Sequence, residues 1–271
     1  MNVSNFGSRM NNGLARNALE VIQYRSVLGQ LVHQYLTLRY RRTAVGYLWT
    51  LINPLLMMSI MAVVFATLFN QDLATFSVFL FAGMVPWNCF SMIVTQSCTA
   101  FLFNEGLIKK IYLPKVIFPL SLALGILIDS ALAFLALFLL ILLFGAPISW
   151  ALLFIPVAFS LLFLFSLGFG LMVSVASVFF RDLQHVIGVL MQAWFFLTPV
   201  FYRHEALTGK VAWLVAINPM VPFIELFRAP LSMGRLPSVT AIASAVVFTI
   251  CSMVVGLCVF LAQEYKVVFR L

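Results

Sequence analysis

The chain has 271 residues, 63% of them hydrophobic and only 9% charged, with a net charge of +8 at pH 7. A soluble domain carries roughly 25% charged residues and about half apolar ones, so a water-soluble fold is excluded and lipid must be the solvent for most of the exterior. The basic excess sits at the edges of the apolar runs, where it reports the side a loop faces rather than a nucleic-acid partner. The four cysteines, Cys89, Cys98, Cys251 and Cys258, lie inside apolar runs with no disulfide or zinc spacing.

Residues 1–43 open with a polar and basic stretch over 1–20 that contains no h-region, so a cleavable signal peptide is not expected. They are read as a cytoplasmic N-terminal segment preceding a transmembrane domain over 44–271. Val27, Leu28, Leu31, Val32, Tyr35 and Leu36 recur at helical spacing and are followed by Arg39, Arg41 and Arg42, which predicts an amphipathic helix lying in the membrane interface. Two readings of the three arginines stand: anchoring to anionic lipid, or a cradle for a phosphate-bearing headgroup, which suits the bidentate geometry of arginine.

A crossing helix needs about 20 apolar residues. Six runs qualify, giving an all-α membrane protein: Val45 to Phe69, Phe76 to Phe101, Val116 to Phe144, Ala151 to Phe180, Val186 to Phe201 (the shortest) and Thr240 to Ala262. With both termini cytoplasmic, only Arg203, Lys210, Arg228 and Arg235 of the 16 Lys and Arg fall on the outer side.

Between the second and third runs, Asn104 is placed to cap a short cytoplasmic helix. Glu105 sits at its positive end, Lys109 and Lys110 at its negative end, and Pro114 closes it. Such a self-terminating helix reads either as a chance capped turn or as a knob that docks into a cytoplasmic partner. Asp129 falls near the middle of the third run, where a carboxylate costs about 2.5 to 3.5 kcal/mol on insertion scales. It is expected either to hydrogen-bond a Ser or Thr on a neighbouring helix or to lie on a substrate path.

Ser166, Gly170 and Ser174, thickened by Gly168 and Ser177, form a small-residue stripe for close helix packing. Within an outer segment over about 203–238, the stretch Val211 to Leu231 approaches spanning length but is broken by Asn218, Pro219, Pro222, Glu225 and Arg228. Two short helices meeting at Asn218-Pro219 are therefore expected, as a re-entrant or interfacial hairpin on the outer side. Trp194, Phe195, Phe196, Tyr202 and Phe223 border this hairpin and are the candidate aromatics for a channel or outer gate.

No GxxxxGK[ST] occurs, since Gly209-Lys210 is followed by Val211, and GxSxG and HExxH are also missing. His33, His185 and His204 fall on different sides and cannot share a metal. No catalytic residue, metal site or cofactor is assigned to this chain. Asp129 stands almost alone among intramembrane ionisable groups, which disfavours ion-coupled transport.

Four blocks, RYRRTAVGYLWTLINPLLM, NEGLIKKIYLPKVIFPLS, FFRDLQHVIGVLMQAWFFLTPVFY and INPMVPFIELFR, resemble in order the membrane permeases of type-2 ABC exporters for O-antigen and teichoic-acid polysaccharides. The resemblance implies a homodimer of permeases in the bacterial inner membrane, each copy docked to a cytoplasmic ATPase that binds ATP and Mg. The implied cargo is a polysaccharide on polyprenyl pyrophosphate. It further implies ATPase coupling through Glu105, Gly106, Leu107, Lys109 and Lys110, and headgroup admission beside Arg39, Arg41 and Arg42. The outer gate would be formed by the hairpin carrying Pro219, Pro222, Phe223 and Glu225. The alternatives are export of capsule, teichoic acid, drug or lipid by the same superfamily, or a membrane-embedded glycosyltransferase or scaffold.

Overall fold

Among the residues described by the computed structural model, 19–39, 46–143, 149–202 and 209–271, every regular element is helical. In chain order they are α1 (Arg25–Arg39), α2 (Trp49–Leu68), α3 (Leu73–Ser97), α4 (Glu105–Lys110), α5 (Ile117–Leu143), α6 (Ile155–Phe179), α7 (Leu183–Leu197), α8 (Gly209–Ile217), α9 (Met220–Ser232) and α10 (Val239–Arg270). Two 3-10 segments, Gly46–Leu48 and Trp150–Phe154, lead into α2 and α6. Among the described residues, five segments are long and apolar enough to cross a bilayer: Leu51–Leu68, Leu73–Ser97, Ile117–Ala136, Trp150–Phe179 and Val239–Val267.

The shortest expected crossing, 186–201, is the 15-residue helix α7, which stops at Leu197. The reason is local. Pro199 disfavours helical backbone at the residue before it, and Thr198 is extended at φ −99°, ψ 130°. The second run also ends earlier than its apolar character implies, at Ser97, and turns follow through Asn104.

Turn chemistry closes the α2–α3 connection within four residues. Asn70 takes the left-handed conformation (φ 51°), which asparagine tolerates better than most residues. The Gln71 amide reaches back to the Ala66 carbonyl at 2.9 Å and the Asn70 amide to that of Thr67 at 3.3 Å, a Schellman closure. Asp72 then caps α3, accepting from the Thr75 amide and hydroxyl, both at 2.9 Å. These two bonds hold its carboxyl below the ordinary carboxylate range.

The centre of the bundle is α3, buried over most of its length and packed on α2, α5, α6, α7 and α9. The most extensive helix pair is α6 with α10, and its closeness comes from the small-residue stripe. A Cβ on Gly256 would lie 2.3 Å from the Gly168 carbonyl oxygen, and one on Gly168 would lie 2.5 Å from the Ser252 backbone. The Ser252 hydroxyl donates to the Phe165 carbonyl at 2.7 Å across the same contact. On its other side the stripe meets α3: a Cβ on Gly170 would come within 2.7 Å of Ser97 Oγ, and Ser177 donates to the Cys98 carbonyl at 2.6 Å.

Helix α1 lies along α5. The six apolar positions expected on its inner stripe are the half-buried ones, whereas Gly29, Gln30, His33, Gln34 and Thr37 between them are exposed. Tyr35 seats in the notch left by Gly125 and donates to Gln96 Oε1 at 3.0 Å.

Candidate functional site

Three places gather the residues singled out in the sequence. The first is α4, at the end of the bundle shared with the start of α2. It has an acidic first turn and a basic last turn, as its charges imply, and it buries no residue fully. Leu107 and Ile108 rest on the core, while Gly106, Lys109 and Lys110 face outward. Glu105 is held below the ordinary carboxylate range, chiefly by the hydrogen bond and charge of Lys109 and to a smaller degree by Arg181. Arg181 belongs to the α6–α7 turn, so that turn shares the surface around α4.

The capping expectation at Asn104 is corrected. Its backbone is not extended (φ −107°, ψ 13°) and its side chain does not cap; instead Nδ2 donates back to the Ala100 carbonyl at 2.8 Å. The preceding turns already carry the chain helically into α4, so the Leu107 and Ile108 amides use the Asn104 backbone carbonyl, each at 3.0 Å. Sequence reasoning passed over the apolar fringe of this helix, where Phe103 is 84% and Tyr112 66% exposed. The available signal was an aromatic residue on each side of a lysine pair outside any crossing run.

The second place is the opposite end, where α7 stops and α8 and α9 meet at Asn218-Pro219, as the break predicts. Asn218 is the hub. Its Oδ1 accepts from Trp194 Nε1 at 2.9 Å and from the Met220 amide at 3.0 Å; its Nδ2 donates to the Leu197 carbonyl at 3.1 Å and Thr198 Oγ1 at 2.9 Å. Arg228, counted above among outer flanking charges, is buried. Its Nη2 donates to the Pro199 and Val200 carbonyls at 3.0 and 2.9 Å, and its guanidinium lies 3.7 Å over the Phe79 ring. Together the two side chains satisfy the carbonyls of Leu197, Pro199 and Val200, where α7 gives way to non-helical backbone. Glu225 ties α9 to α10 by accepting from the Ser238 amide and hydroxyl at 3.3 and 2.7 Å.

The candidate aromatics divide by depth. Phe223 is fully buried and stacks on Phe165 at 4.5 Å between centroids. Trp194 packs edge-on to Phe90 at 5.3 Å, and Phe195 lies against Trp87 at 5.6 Å. Phe196 is 63% exposed and accepts at its carbonyl from Tyr202 Oη at 3.3 Å. Tyr202, with Phe69, Phe76 and Phe201, walls a cavity of about 230 Å³ beside the α2–α3 turn. Pro219 opens α9 and Pro222 is buried within it.

The third place is Asp129, buried in α5 at the edge of a cavity of about 300 Å³ shared with α2 and α3. Arg41 and Arg42 lie outside the described residues, as do Arg203 and His204 and the side chain of Arg39. No group of three or more metal-ligating residues occurs among the described residues.

Residues 27–232 match the family model of ABC-2 type transporters. An O-antigen export system permease protein from Myxococcus xanthus is 31% identical over 226 residues, covering 83% of this chain and 87% of that protein. One from Klebsiella pneumoniae is 28% identical over 239 residues, covering 87% and 91%. A polysialic acid transport protein from Escherichia coli is 24% identical over 262 residues, covering 93% and 98%.

Proposed function

The chain belongs to the ABC-2 type transporter family, and from that premise we propose that it is the permease subunit of an ATP-driven exporter of lipid-linked polysaccharide in the bacterial inner membrane. The observation that carries this reading is similarity along most of the chain to proteins named for O-antigen export and for polysialic acid transport. The cargo is a glycan carried on polyprenyl pyrophosphate. Nucleotide chemistry belongs to a separate cytoplasmic ATPase, which supplies the ATP and Mg site.

In this reading both termini and α4 are cytoplasmic, and α7 with the bent segment to Tyr202 makes a sixth crossing. At about 1.5 Å per residue α7 reaches only roughly 22 Å of a core about 30 Å thick. Non-helical backbone is tolerated at such depth only when protein satisfies it, which is what Asn218 and Arg228 do for residues 197–200. The α8–α9 pair is the outer gate hairpin, closed toward α10 by Glu225. A single chain has too few crossings to enclose a hydrated polymer, so two copies pair with the path between them.

Coupling runs through α4. A short helix with open charges and a free glycine flank is suited to seat in a groove of the ATPase and pass its two conformations to the bundle. The arginines at 39, 41 and 42 provide the cationic rim at which the pyrophosphate headgroup is admitted.

Deleting the gene tests the proposal. Lipid-linked polymer should accumulate on the inner face, where a glycan-specific label reaches it only after the membrane is permeabilised. Normal surface polymer in the deletion strain would overturn the assignment.

A further inference from the structure

Helices α2, α3 and α5 each contribute polar residues to the lining of one cavity: Asn53, exposed on the first, Asn88, half-buried on the second, and the buried Asp129 and Ser130 on the third. Asp129 lies roughly 18 Å along α5 from Ile117 at about 1.5 Å per residue, deep in the hydrocarbon zone. Trp49, 42% exposed, stands at the rim, and Met57, Met84 and Met92 line the walls. Polar groups so placed are costly unless they face a bundle interior or a cavity that uses them. Packing alone does not require the space, since a water occupies about 30 Å³ and cavities that hold small ligands begin at about 300 Å³.

The lining selects among occupants. The described lining holds a carboxylate and neither Lys nor Arg, which opposes a phosphate. An acyl chain would leave two amides, a hydroxyl and a carboxylate facing hydrocarbon. A neutral ring bearing several hydroxyls answers every group. It donates to the carboxylate and amide oxygens, accepts from the amide nitrogens, and lays its C–H face on the indole. Asp129 already makes another interaction within the fold, and a carboxylate has about four acceptor sites, so capacity is left for a ligand hydroxyl. Thioether walls adapt to rings of different substitution.

We propose that this cavity is a sugar-binding subsite near the middle of the membrane, taking one neutral pyranose of the lipid-linked glycan through Asp129, Asn88, Asn53 and the Trp49 ring. It rests on the exporter reading above and adds what that reading lacks, a place where the chain distinguishes a loaded carrier from an empty one.

The test uses the permease with its ATPase subunit in proteoliposomes. ATP hydrolysis is titrated with polyprenyl pyrophosphate bearing a short neutral oligosaccharide, and separately with the bare carrier. In the parent complex the sugar-bearing lipid should act at about a tenfold lower concentration, the size of one or two net hydrogen bonds. Asp129→Leu and Asn88→Leu should remove that advantage, whereas Asp129→Asn, which keeps a hydrogen-bonding side chain, should retain most of it. Trp49→Leu, at an exposed position, should also remove it and keeps the test decisive if the buried substitutions fail to assemble. An advantage that survives in every variant overturns the subsite, and so does an equal response to the two lipids in the parent complex; both leave the exporter reading standing. Dependence of the response on sodium in place of potassium would reassign the cavity to a cation and overturn the proposal. No response to either lipid would remove the exporter reading and the subsite together.

Discussion

At Asn218 one amide meets four partners, and at Gly256 one missing methyl lets two helix backbones touch. Replacing Asn218 would leave the indole N–H of Trp194 and the Met220 amide without their acceptor in a buried setting, and each such loss costs about 1 to 3 kcal/mol. The glycine offers the cleaner measurement, because the atom a new side chain would meet is backbone and cannot rotate away. Gly256→Val should destabilise the protein by at least the roughly 1 to 3 kcal/mol of ordinary overpacking, read as a lowered midpoint of thermal unfolding in detergent. Gly29→Ala makes the opposite control: a Cβ there meets nothing within 4 Å, and an exposed helical glycine replaced by alanine gains about 0.5 to 1 kcal/mol. A midpoint for Gly256→Val equal to that of the parent would refute the close α6–α10 contact.

For the elements, the informative comparison is between α4 and α7. Helix α4 obeys its local charges but not its expected cap, because the turns before it already supply helical backbone. Since a Cβ on Gly106 meets nothing in the chain, Gly106→Trp should leave thermal unfolding unchanged while the variant loses most of its co-purifying ATPase and at least about tenfold of its export. Full export by the tryptophan variant would take the coupling role away from α4. Helix α7 is the reverse case, apolar in composition yet ended early by the Thr198-Pro199 backbone and almost unburied, with Met191 its one fully buried residue among the described side chains.

On the scale of the whole molecule, that bare helix bears on assembly. Gln184, His185 and Gln192 are exposed on α7, and amides are poorly matched to lipid tails. The proposed water-filled path between two copies would accommodate them. Native mass spectrometry from nanodiscs should therefore show two permeases with two ATPases, a single permease per particle being the refuting result. In a background lacking the four native cysteines, Gln192→Cys should react with a hydrophilic maleimide, whereas Cys251 restored as the single cysteine, exposed on the apolar face of α10, should react only with a lipophilic one. Equal labelling of both positions would argue against an aqueous path along α7.

The sequence by itself determined the solvent, the all-helical class, the inner stripe of α1, the break at Asn218-Pro219 and the charge order of α4. Each follows from composition or from signals acting over a few residues, and hydrocarbon leaves a chain little choice but helices. Tertiary structure alone decided that Arg228 is an internal strut rather than a flanking charge, that Phe223 belongs to the core while Phe196 lies outside, and that Asn53, Asn88 and Asp129 share one cavity. In α2 and its neighbours apolar residues run all around the helix, and since lipid and protein interior favour the same side chains, periodicity carries no information about which face turns inward.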